Sequence, residues 1–235
     1  MSKGKLFLIP SPLSESDPRE VIPEPTLELL HRIDRYVVEE ERTVRRYLSR
    51  AGLKGHIDKL TFVELNEHTQ PEQIEKMLEL FEDGKDVGLI SEAGLPAVAD
   101  PGAALVALCH RHTIQVCPLV GPSSLMLALM GSGLNGQSFA FRGYLPAKAD
   151  QRRAAIRDAE KMSSSLNQTQ IFIETPYRSD TLLTDFIACL SPGTKLCVAV
   201  NLTSEQQYIK TLSAQEWKKE KLTIGKQPTV FLILK

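Results

Sequence analysis

Short apolar runs alternate along the chain with longer segments in which apolar residues recur every three or four positions. The short runs predict strands and the longer segments predict amphipathic helices, because those spacings match the geometry of each element. The predicted strands cover residues 6–9, 36–38, 60–65, 87–91, 114–120, 139–143, 170–174, 195–202, 207–212 and 229–234. The predicted helices cover residues 26–34, 41–51, 69–84, 122–131, 149–162 and 177–190, with a short one from Ser213 and another capped by Asp100 with Pro101 at its first position.

The order of these elements predicts an α/β protein. Strands and helices alternate through the first half, which indicates a parallel sheet with helices on both faces. The last strands have little helix between them, which favours antiparallel pairing. We therefore expect two α/β domains, residues 1–120 with a mainly parallel sheet and residues 121–235 with a mixed sheet. The polar segment 163–169, between the helix 149–162 and the strand 170–174, is predicted to be an exposed loop.

Loops of small residues follow two of the predicted strands. The strand 87–91 runs into a loop of small and turn-forming residues that ends at Gly102, and the strand 114–120 ends in Gly121-Pro-Ser-Ser124. Open α/β sheets build a ligand crevice where apolar strands end in small residues and acids. The two loops are therefore expected to line one pocket for one ligand. No G-x-G-x-x-G follows the first strand, which disfavours a Rossmann-type site.

Composition and charge narrow the class of protein. The 235 residues are 42% hydrophobic and 24% charged, as in an ordinary globular protein, and no apolar run reaches the roughly 18–20 residues that span a bilayer. This predicts a cytoplasmic protein without a membrane partner. The net charge of −1 argues against a protein that coats nucleic acid nonspecifically.

The cysteines do not have the spacing of a metal site. None of the four forms a C-x-x-C pair, so we expect free thiols and no zinc. The four are Cys109, Cys117, Cys189 and Cys197. No histidine has ligand spacing either, which predicts a protein without a metal.

Five motifs along the chain, in this order, resemble those of the tetrapyrrole-methylase family of S-adenosylmethionine-dependent methyltransferases. They are Ser91-Glu-Ala-Gly-Leu-Pro96, Asp100-Pro-Gly102, Gly121-Pro-Ser-Ser124, Ser132-Gly-Leu134 and Arg142-Gly-Tyr-Leu-Pro146. The chain is most similar to the branch that methylates a ribose 2′-hydroxyl of a cytidine in small-subunit rRNA. The resemblance implies S-adenosylmethionine as cofactor, bound in a cleft between the two α/β domains. It also implies a homodimer, with the rRNA or the small ribosomal subunit as partner.

The same resemblance assigns contacts to the methyl donor. They come from the loop after the first strand, from the two small-residue loops and from the second domain. The implied donor contacts are Pro10, Leu13, Glu92, Gly94, Leu95, Ser124, Leu125, Thr175, Pro176 and Asn201. Small residues suit this role because they let backbone groups approach a ligand closely.

The run Glu39-Glu-Glu-Arg42 stands at the end of the second predicted strand. An acid there, Glu39 or Glu40, could accept the proton of an acceptor hydroxyl, and Arg42 could hold a phosphate or stabilise developing charge. The resemblance places a matching acid–arginine run at this point. The alternative is a capped, solvent-facing helix start with ion pairs between neighbouring turns.

The densest basic cluster has two interpretations. It comprises Arg142, Lys148, Arg152, Arg153 and Arg157. These side chains could contact RNA phosphates, or they could form a solvated helix face.

Several loops depart from the branch that methylates rRNA, among them Ser11–Ser16, Arg142 with Tyr144, and Val200 with Asn201. Loops are where an acceptor would be recognised. One alternative is therefore a methyltransferase that acts on a tetrapyrrole, another small molecule or a protein. The other alternative is a non-catalytic, donor-binding regulatory protein.

Overall fold

The computed structural model describes residues 4–235, which divide into two compact units. The first unit ends at Ser123 and the second is Ser124–Lys235, whereas the sequence predicts the boundary after residue 120. Each unit contains one five-stranded sheet with helices against it. The predicted α/β class is therefore confirmed.

The sheet of the first unit is parallel throughout, as the alternation of elements predicts. Its strands are β1 (Leu6–Leu8), β2 (Arg35–Val38), β3 (Thr61–Glu64), β4 (Val87–Ile90) and β5 (Val116–Pro118). They lie in the order β3-β2-β4-β1-β5. Since the strands are parallel, the loops that follow them all leave from one edge of the sheet.

The helices of the first unit cover both faces of that sheet. They are α1 (Glu24–Leu30), α2 (Glu41–Leu48), α3 (Pro71–Lys76) and α4 (Ala103–Arg111). Tyr36 and Val38 pack with α1 and α2, while Val37 packs with α4 and the turn after α3. Gly88 in β4 makes room for this packing, because a Cβ there would lie 2.8 Å from the side chains of both Ile9 and Tyr36.

The predicted start of α4 is wrong. The helix begins at Ala103 with Gly102 at its N-cap. Asp100 instead closes the preceding turn, where its carboxylate accepts hydrogen bonds from the backbone of Ala97 at 2.9 Å and of Gly102 at 2.7 Å. An acid followed by proline predicts a cap from sequence, but here the same pair forms a turn before the helix.

The sheet of the second unit is mixed. Its strands are β6 (Phe139–Phe141), β7 (Thr169–Glu174), β8 (Lys195–Val200), β9 (Tyr208–Ser213) and β10 (Thr229–Leu234), in the order β6-β7-β10-β8-β9. Only β6 and β7 pair in parallel among these neighbours, and β7, β8, β9 and β10 pair antiparallel as predicted. Since β7 and β8 both run opposite to β10, their carboxyl ends lie at the same edge.

The helices of the second unit are α5 (Ser124–Ser132), α6 (Ala149–Leu166), α7 (Ser179–Cys189) and α8 (Ala214–Trp217). The predicted loop 163–169 is wrong, because α6 continues through it to Leu166 and β7 begins at Thr169. Ser163 lies one turn beyond Ala159 on the buried face of α6, and its hydroxyl accepts a hydrogen bond from the backbone N–H of Lys235 at 2.9 Å. A polar side chain with such a partner is accommodated inside the protein.

The core of the second unit contains three phenylalanines whose rings contact one another at tilted angles. Phe186 of α7 lies between Phe172 and Phe231 of the sheet, with ring centroids 5.4 and 5.5 Å apart. All three are buried, as is Trp217, whose indole N–H donates to the carbonyl of Leu196 at 2.8 Å. The helices α7 and α8 are therefore fixed to the sheet by buried aromatic side chains.

We expect Phe186→Ala to destabilise the second unit by about 3–5 kcal/mol, because it removes a buried ring and leaves a cavity between two others. Urea unfolding followed by the fluorescence of Trp217, the single tryptophan of the chain, measures this unit directly. Thr181→Ala on the exposed face of α7 is the control and should change stability by less than about 0.5 kcal/mol. Equal midpoints for both variants would contradict this account of the core.

Candidate functional site

The loops after β1 and β4 are joined at the carboxyl edge of the first sheet. Ser11 donates its N–H to the carbonyl of Gly94 at 2.9 Å and accepts the N–H of Gly94 at 3.1 Å. The hydroxyl of Ser11 also donates to the carbonyl of Ser91 at 3.2 Å. This pairing brings three predicted donor contacts together, because Pro10 and Leu13 lie on the same loop as Ser11, which pairs with Gly94.

Two glycines allow the loop after β5 to join the other two. A Cβ at Gly121 would lie 2.2 Å from the Cβ of Pro10, so no larger residue fits there. Gly94 has φ +81°, and a Cβ there would lie 3.2 Å from the side chain of Leu13 and 3.5 Å from the carbonyl oxygen of Pro122. The two small-residue loops therefore meet, through the loop of β1 that lies between them, as the sequence predicts for one pocket.

The loop after β4 holds a strained turn. Ala97 and Ala99 adopt the left-handed region, with φ +65° and +62°, although neither is glycine. The carboxylate of Asp100 holds this turn through the backbone of Ala97 and Gly102, and burial raises the pKa of Asp100. Such strain persists only where surrounding contacts impose it, and it clusters at ligand-binding loops. The loop thus combines small residues with a backbone that is held in a fixed conformation.

Glu39 connects the end of β2 to this loop. It is half-buried, and its carboxylate accepts the backbone N–H of Glu92 at 3.1 Å. Burial raises the pKa of Glu39, and the nearby carboxylates of Asp100 and Glu92 raise it further, against the lowering effect of the Glu92 hydrogen bond. The structure therefore brings one predicted catalytic acid into contact with a predicted donor residue.

Glu40 has a different environment from its neighbour. Its carboxylate caps α2 by accepting from the backbone of Arg42 at 3.0 Å and of Thr43 at 2.7 Å, and from the hydroxyl of Thr43 at 2.7 Å. The Thr43 hydroxyl is the largest cause of a lowered pKa for Glu40. A carboxylate stabilised in its charged form is a weak base. Glu40 therefore fits the alternative interpretation of this run, in which the acid caps the start of a helix.

Arg42 is exposed at the first turn of α2. It borders an open surface depression of about 560 Å³, which is also lined by Glu40, Glu41, Arg45, Arg46 and Ser49. Arg45 is engaged within the protein, with its guanidinium 2.7 Å from Glu41 and 3.2 Å from Asp58. The depression therefore combines the guanidinium groups of Arg42 and Arg46 with the carboxylates of Glu40 and Glu41.

The second unit places three further predicted donor contacts at one edge of its sheet. Thr175 and Pro176 follow β7, and Asn201 follows β8. Thr229, at the start of β10, lies opposite the last residues of both strands. The backbone of Asn201 is in the left-handed region at φ +51° and donates its N–H to the carbonyl of Pro228 at 3.0 Å.

Three predicted donor contacts remain: Leu95 is half-buried in the loop after β4, and Ser124 and Leu125 begin α5. Leu125 is buried and Ser124 is half-buried, and α5 packs on β8, β9 and β10. The binding of a donor in a cleft between the two domains stays a prediction.

The basic cluster does not form one phosphate-binding surface. Arg152 is buried, and its Nη2 lies 2.6 Å from the carboxylate of Asp185, which also accepts from Arg153 Nε at 2.8 Å. Burial raises the pKa of Asp185, but the two guanidiniums outweigh it and hold the pKa below its ordinary value. The interpretation of Arg152 as an RNA contact is therefore wrong, because its charge is used inside the unit.

The other members of the cluster are exposed. Arg142 donates from Nε to the side-chain oxygen of Gln170 at 2.6 Å, and Lys148 and Arg157 lie on the surface.

Sequence reasoning missed a second buried charge. The carboxylate of Glu174 is buried and lies 2.9 Å from Arg178 Nη2, while its other oxygen accepts the N–H of Thr175 at 2.8 Å. The spacing of four residues between Glu174 and Arg178 was the available signal. This pair stands directly beside the predicted donor contacts Thr175 and Pro176.

Within residues 4–235, no three His, Cys, Asp or Glu side chains come together as the ligands of a metal ion would. The helices of this same part of the chain include none that is long and apolar enough to cross a membrane.

Known proteins resemble this chain in sequence and in structure. A family model described as tetrapyrrole (corrin/porphyrin) methylases matches residues 23–217. Ribosomal RNA small subunit methyltransferase I from Escherichia coli O157:H7 is 30% identical over 208 residues, which are 88% of this chain and 68% of that protein.

Two solved structures share the fold. The methyltransferase CobJ aligns with a TM-score of 0.65 at 16% identity, covering 98% of this chain and 94% of that one. Uroporphyrin-III C-methyl transferase from Thermus thermophilus, complexed with S-adenosyl homocysteine, aligns with a TM-score of 0.60 at 16% identity, covering 99% and 98%.

We expect Glu40→Ala to reduce the stability of the first unit by about 1 kcal/mol, because it removes the N-cap of α2. Denaturant unfolding followed by far-ultraviolet circular dichroism measures the change. The control is Glu41→Ala, which removes a partly exposed ion pair with Arg45 and should cost no more than about 0.5 kcal/mol. A larger loss for Glu41→Ala than for Glu40→Ala would contradict the capping role.

Proposed function

Because the chain belongs to the tetrapyrrole methylase family, we propose that it methylates the 2′-hydroxyl of a cytidine in small-subunit rRNA, with S-adenosylmethionine as donor. The family consists of S-adenosylmethionine-dependent methyltransferases, so the enzyme class predicted from the sequence is confirmed. The match along 88% of the chain to a ribosomal RNA small subunit methyltransferase I carries the choice of acceptor.

The residues of both units fit the proposed donor. S-adenosylmethionine supplies the electrophilic methyl group and its own leaving group, so the protein has to position two reactants. In the first unit, Gly94 and Gly121 allow the loops after β1, β4 and β5 to approach one another closely. In the second unit, Thr175, Pro176 and Asn201 lie at one edge of the sheet.

Glu39 is the proposed general base for the acceptor. A 2′-hydroxyl is a poor nucleophile until its proton leaves, and a carboxylate within reach can accept that proton. Burial raises the pKa of Glu39, and a carboxylate with a raised pKa is a stronger base. Glu40 fixes the turn that follows, and Arg42 on that turn is proposed to hold a phosphate of the acceptor.

The same experiments also test the alternative acceptors. A tetrapyrrole, another small molecule or a protein remains open as the acceptor if rRNA takes up no methyl group. Donor binding without transfer to any acceptor would favour the regulatory alternative. The homodimer and the cytoplasmic location stay predictions.

We expect S-adenosylhomocysteine to bind at one site per chain in calorimetry, and Gly94→Ala to weaken it by about tenfold or more. The added Cβ would crowd Leu13 and the backbone of Pro122, and it would strain a residue at φ +81°. Gly133→Ala is the matched control, because Gly133 has φ +67° but no atom within 4 Å of a Cβ there. It carries similar strain without crowding and should bind as the wild type does. Failure of the wild type to bind at millimolar concentration would overturn the donor assignment.

We expect Glu39→Gln to slow methyl transfer by about 10²–10⁴-fold, with little change in the affinity for S-adenosylhomocysteine. The assay uses small ribosomal subunits from a strain that lacks this protein, and mass mapping locates the methyl group. The rate of the wild type should fall as the pH drops through the raised pKa of Glu39, because the protonated acid cannot accept a proton.

Glu40→Gln is the matched control for this experiment. It replaces the neighbouring acid while keeping an oxygen that can cap α2, so transfer should stay within about threefold of the wild type. Wild-type rates for Glu39→Gln would place the base on another loop. An rRNA without any change in cytidine methylation would exclude the proposed acceptor.

A further inference from the structure

Two tyrosines of the second unit stand out by their exposure. Tyr144 is 58% exposed and Tyr177 is 78% exposed, whereas Tyr36 and Tyr47 are buried in the core of the first unit. Tyr144 lies on the loop after β6 and Tyr177 on the short turn between β7 and α7. Neither ring fills the core, so the two tyrosines have another role. The contacts that hold their two loops indicate what that role is.

A guanidinium ties the two loops together. Arg178 Nη2 donates to the carbonyl of Leu145 at 3.1 Å and to that of Pro146 at 3.3 Å. Leu145 and Arg178 directly follow Tyr144 and Tyr177, so this contact sets the tyrosines on neighbouring backbone segments. Arg178 is itself anchored by the buried carboxylate of Glu174 at 2.9 Å.

A second guanidinium holds the same loop from the other side. Arg152 Nη1 donates to the carbonyl of Ala147 at 2.7 Å and to that of Pro146 at 3.4 Å. The buried carboxylate of Asp185 anchors Arg152. Three consecutive carbonyls are thus fixed by two anchored arginines. A loop held in this way loses little conformational entropy when it binds a ligand.

A cation is fixed over the ring of Tyr177. The carboxylate of Asp180 accepts the N–H of Ile224 at 2.7 Å and that of Gly225 at 3.0 Å, which holds the loop that carries Lys226. Lys226 Nζ lies 5.0 Å from the centroid of the Tyr177 ring. An ammonium group at this distance is attracted to the face of the ring, so both groups are presented to solvent in a defined arrangement.

Two exposed lysines, Lys148 and Lys226, supply positive charge to this surface, and Asp150 is exposed near Lys148. The three acids of the segment 174–185 are engaged with arginines or backbone N–H groups, as described for Glu174, Asp180 and Asp185. Lys148 stands at the start of α6. We call Tyr144, Lys148, Tyr177 and Lys226 the tyrosine surface.

We propose that the tyrosine surface binds single-stranded RNA, with bases stacked on the tyrosines and phosphates near the two lysines. Unpaired bases stack on exposed aromatic side chains, and the backbone beside them is neutralised by cations. A duplex keeps its bases stacked on one another and cannot use the rings in this way. The inference rests on the proposed function, because it takes RNA as the acceptor.

The test measures fluorescence anisotropy of a labelled single-stranded RNA of about twelve nucleotides, with the duplex of the same sequence as comparison. Tyr177→Ala should weaken binding of the single strand by about 5- to 100-fold, and Tyr144→Ala should act in the same direction. Tyr177→Phe keeps the ring and should restore binding to within about twofold of the wild type. Lys226→Ala should reduce the slope of log affinity against log salt by about 0.7.

Leu166→Ala is the control, since Leu166 is also exposed but lies at the far end of α6 from Lys148. It should bind RNA as the wild type does, and thermal melting shows that every variant is folded. Equal affinity of Tyr177→Ala and the wild type would overturn the inference. So would a loss of self-association in Tyr177→Ala with unchanged RNA affinity.

An assay of methyl transfer to small ribosomal subunits distinguishes a failure of the tyrosine-surface proposal from a failure of the proposed function. Transfer by the wild type together with unaltered RNA binding by the tyrosine variants would overturn only the tyrosine surface. A wild type that neither binds RNA nor methylates the subunit would overturn both.

Discussion

The candidate site depends on the position of β1 between β4 and β5. This position forces the loop of β1 to contact the loops on either side, and the contacts leave room only for particular residues. Ser11 pairs with Gly94 through both backbone groups, and Pro10 lies where a Cβ of Gly121 would be. Because parallel strands deliver their loops to one edge, a single interior strand can bring together loops that are far apart in sequence. Glycine is therefore needed at these two positions because the loops approach closely there, as much as because of turn geometry.

In the second unit, ion pairs with buried carboxylates fix the loop 145–147, whereas in the first unit glycines allow the loops to meet. Arg152 and Asp185 are both removed from solvent, whereas Arg178 is partly exposed and pairs with the buried carboxylate of Glu174; each arginine also donates to backbone carbonyls. Burying charges is costly unless they are paired and hydrogen-bonded, and the carbonyls of the loop 145–147 supply the remaining partners. The charges therefore fix the backbone of a loop that is also attached to the core through Leu145. The exposed side chains on that loop are consequently held in place without being part of the core.

Periodicity predicted the strands, the two sheets and the direction of their pairing, because these follow from local spacing and from the order of elements. It failed where a polar residue has a partner that is distant in sequence. Ser163 looks like the start of a loop, yet its hydroxyl meets the backbone of Lys235 and α6 continues past it. Arg152 looks like part of a basic surface, yet Asp185 neutralises it. Residue type gives charge and polarity, and only the tertiary contacts decide whether either is available to a ligand.

Within the candidate site, Glu39 and Glu40 also differ only through their tertiary contacts. They are adjacent and chemically identical, so no pattern in the sequence separates them. The backbone of α2 and the hydroxyl of Thr43 stabilise the charged form of Glu40, while burial near Asp100 and Glu92 destabilises that of Glu39. One carboxylate is thereby committed to starting a helix, and the other gains proton affinity beside the strained loop of β4. The helix cap fixes the direction in which the chain leaves β2, and so a structural role for Glu40 is what gives Glu39 its position.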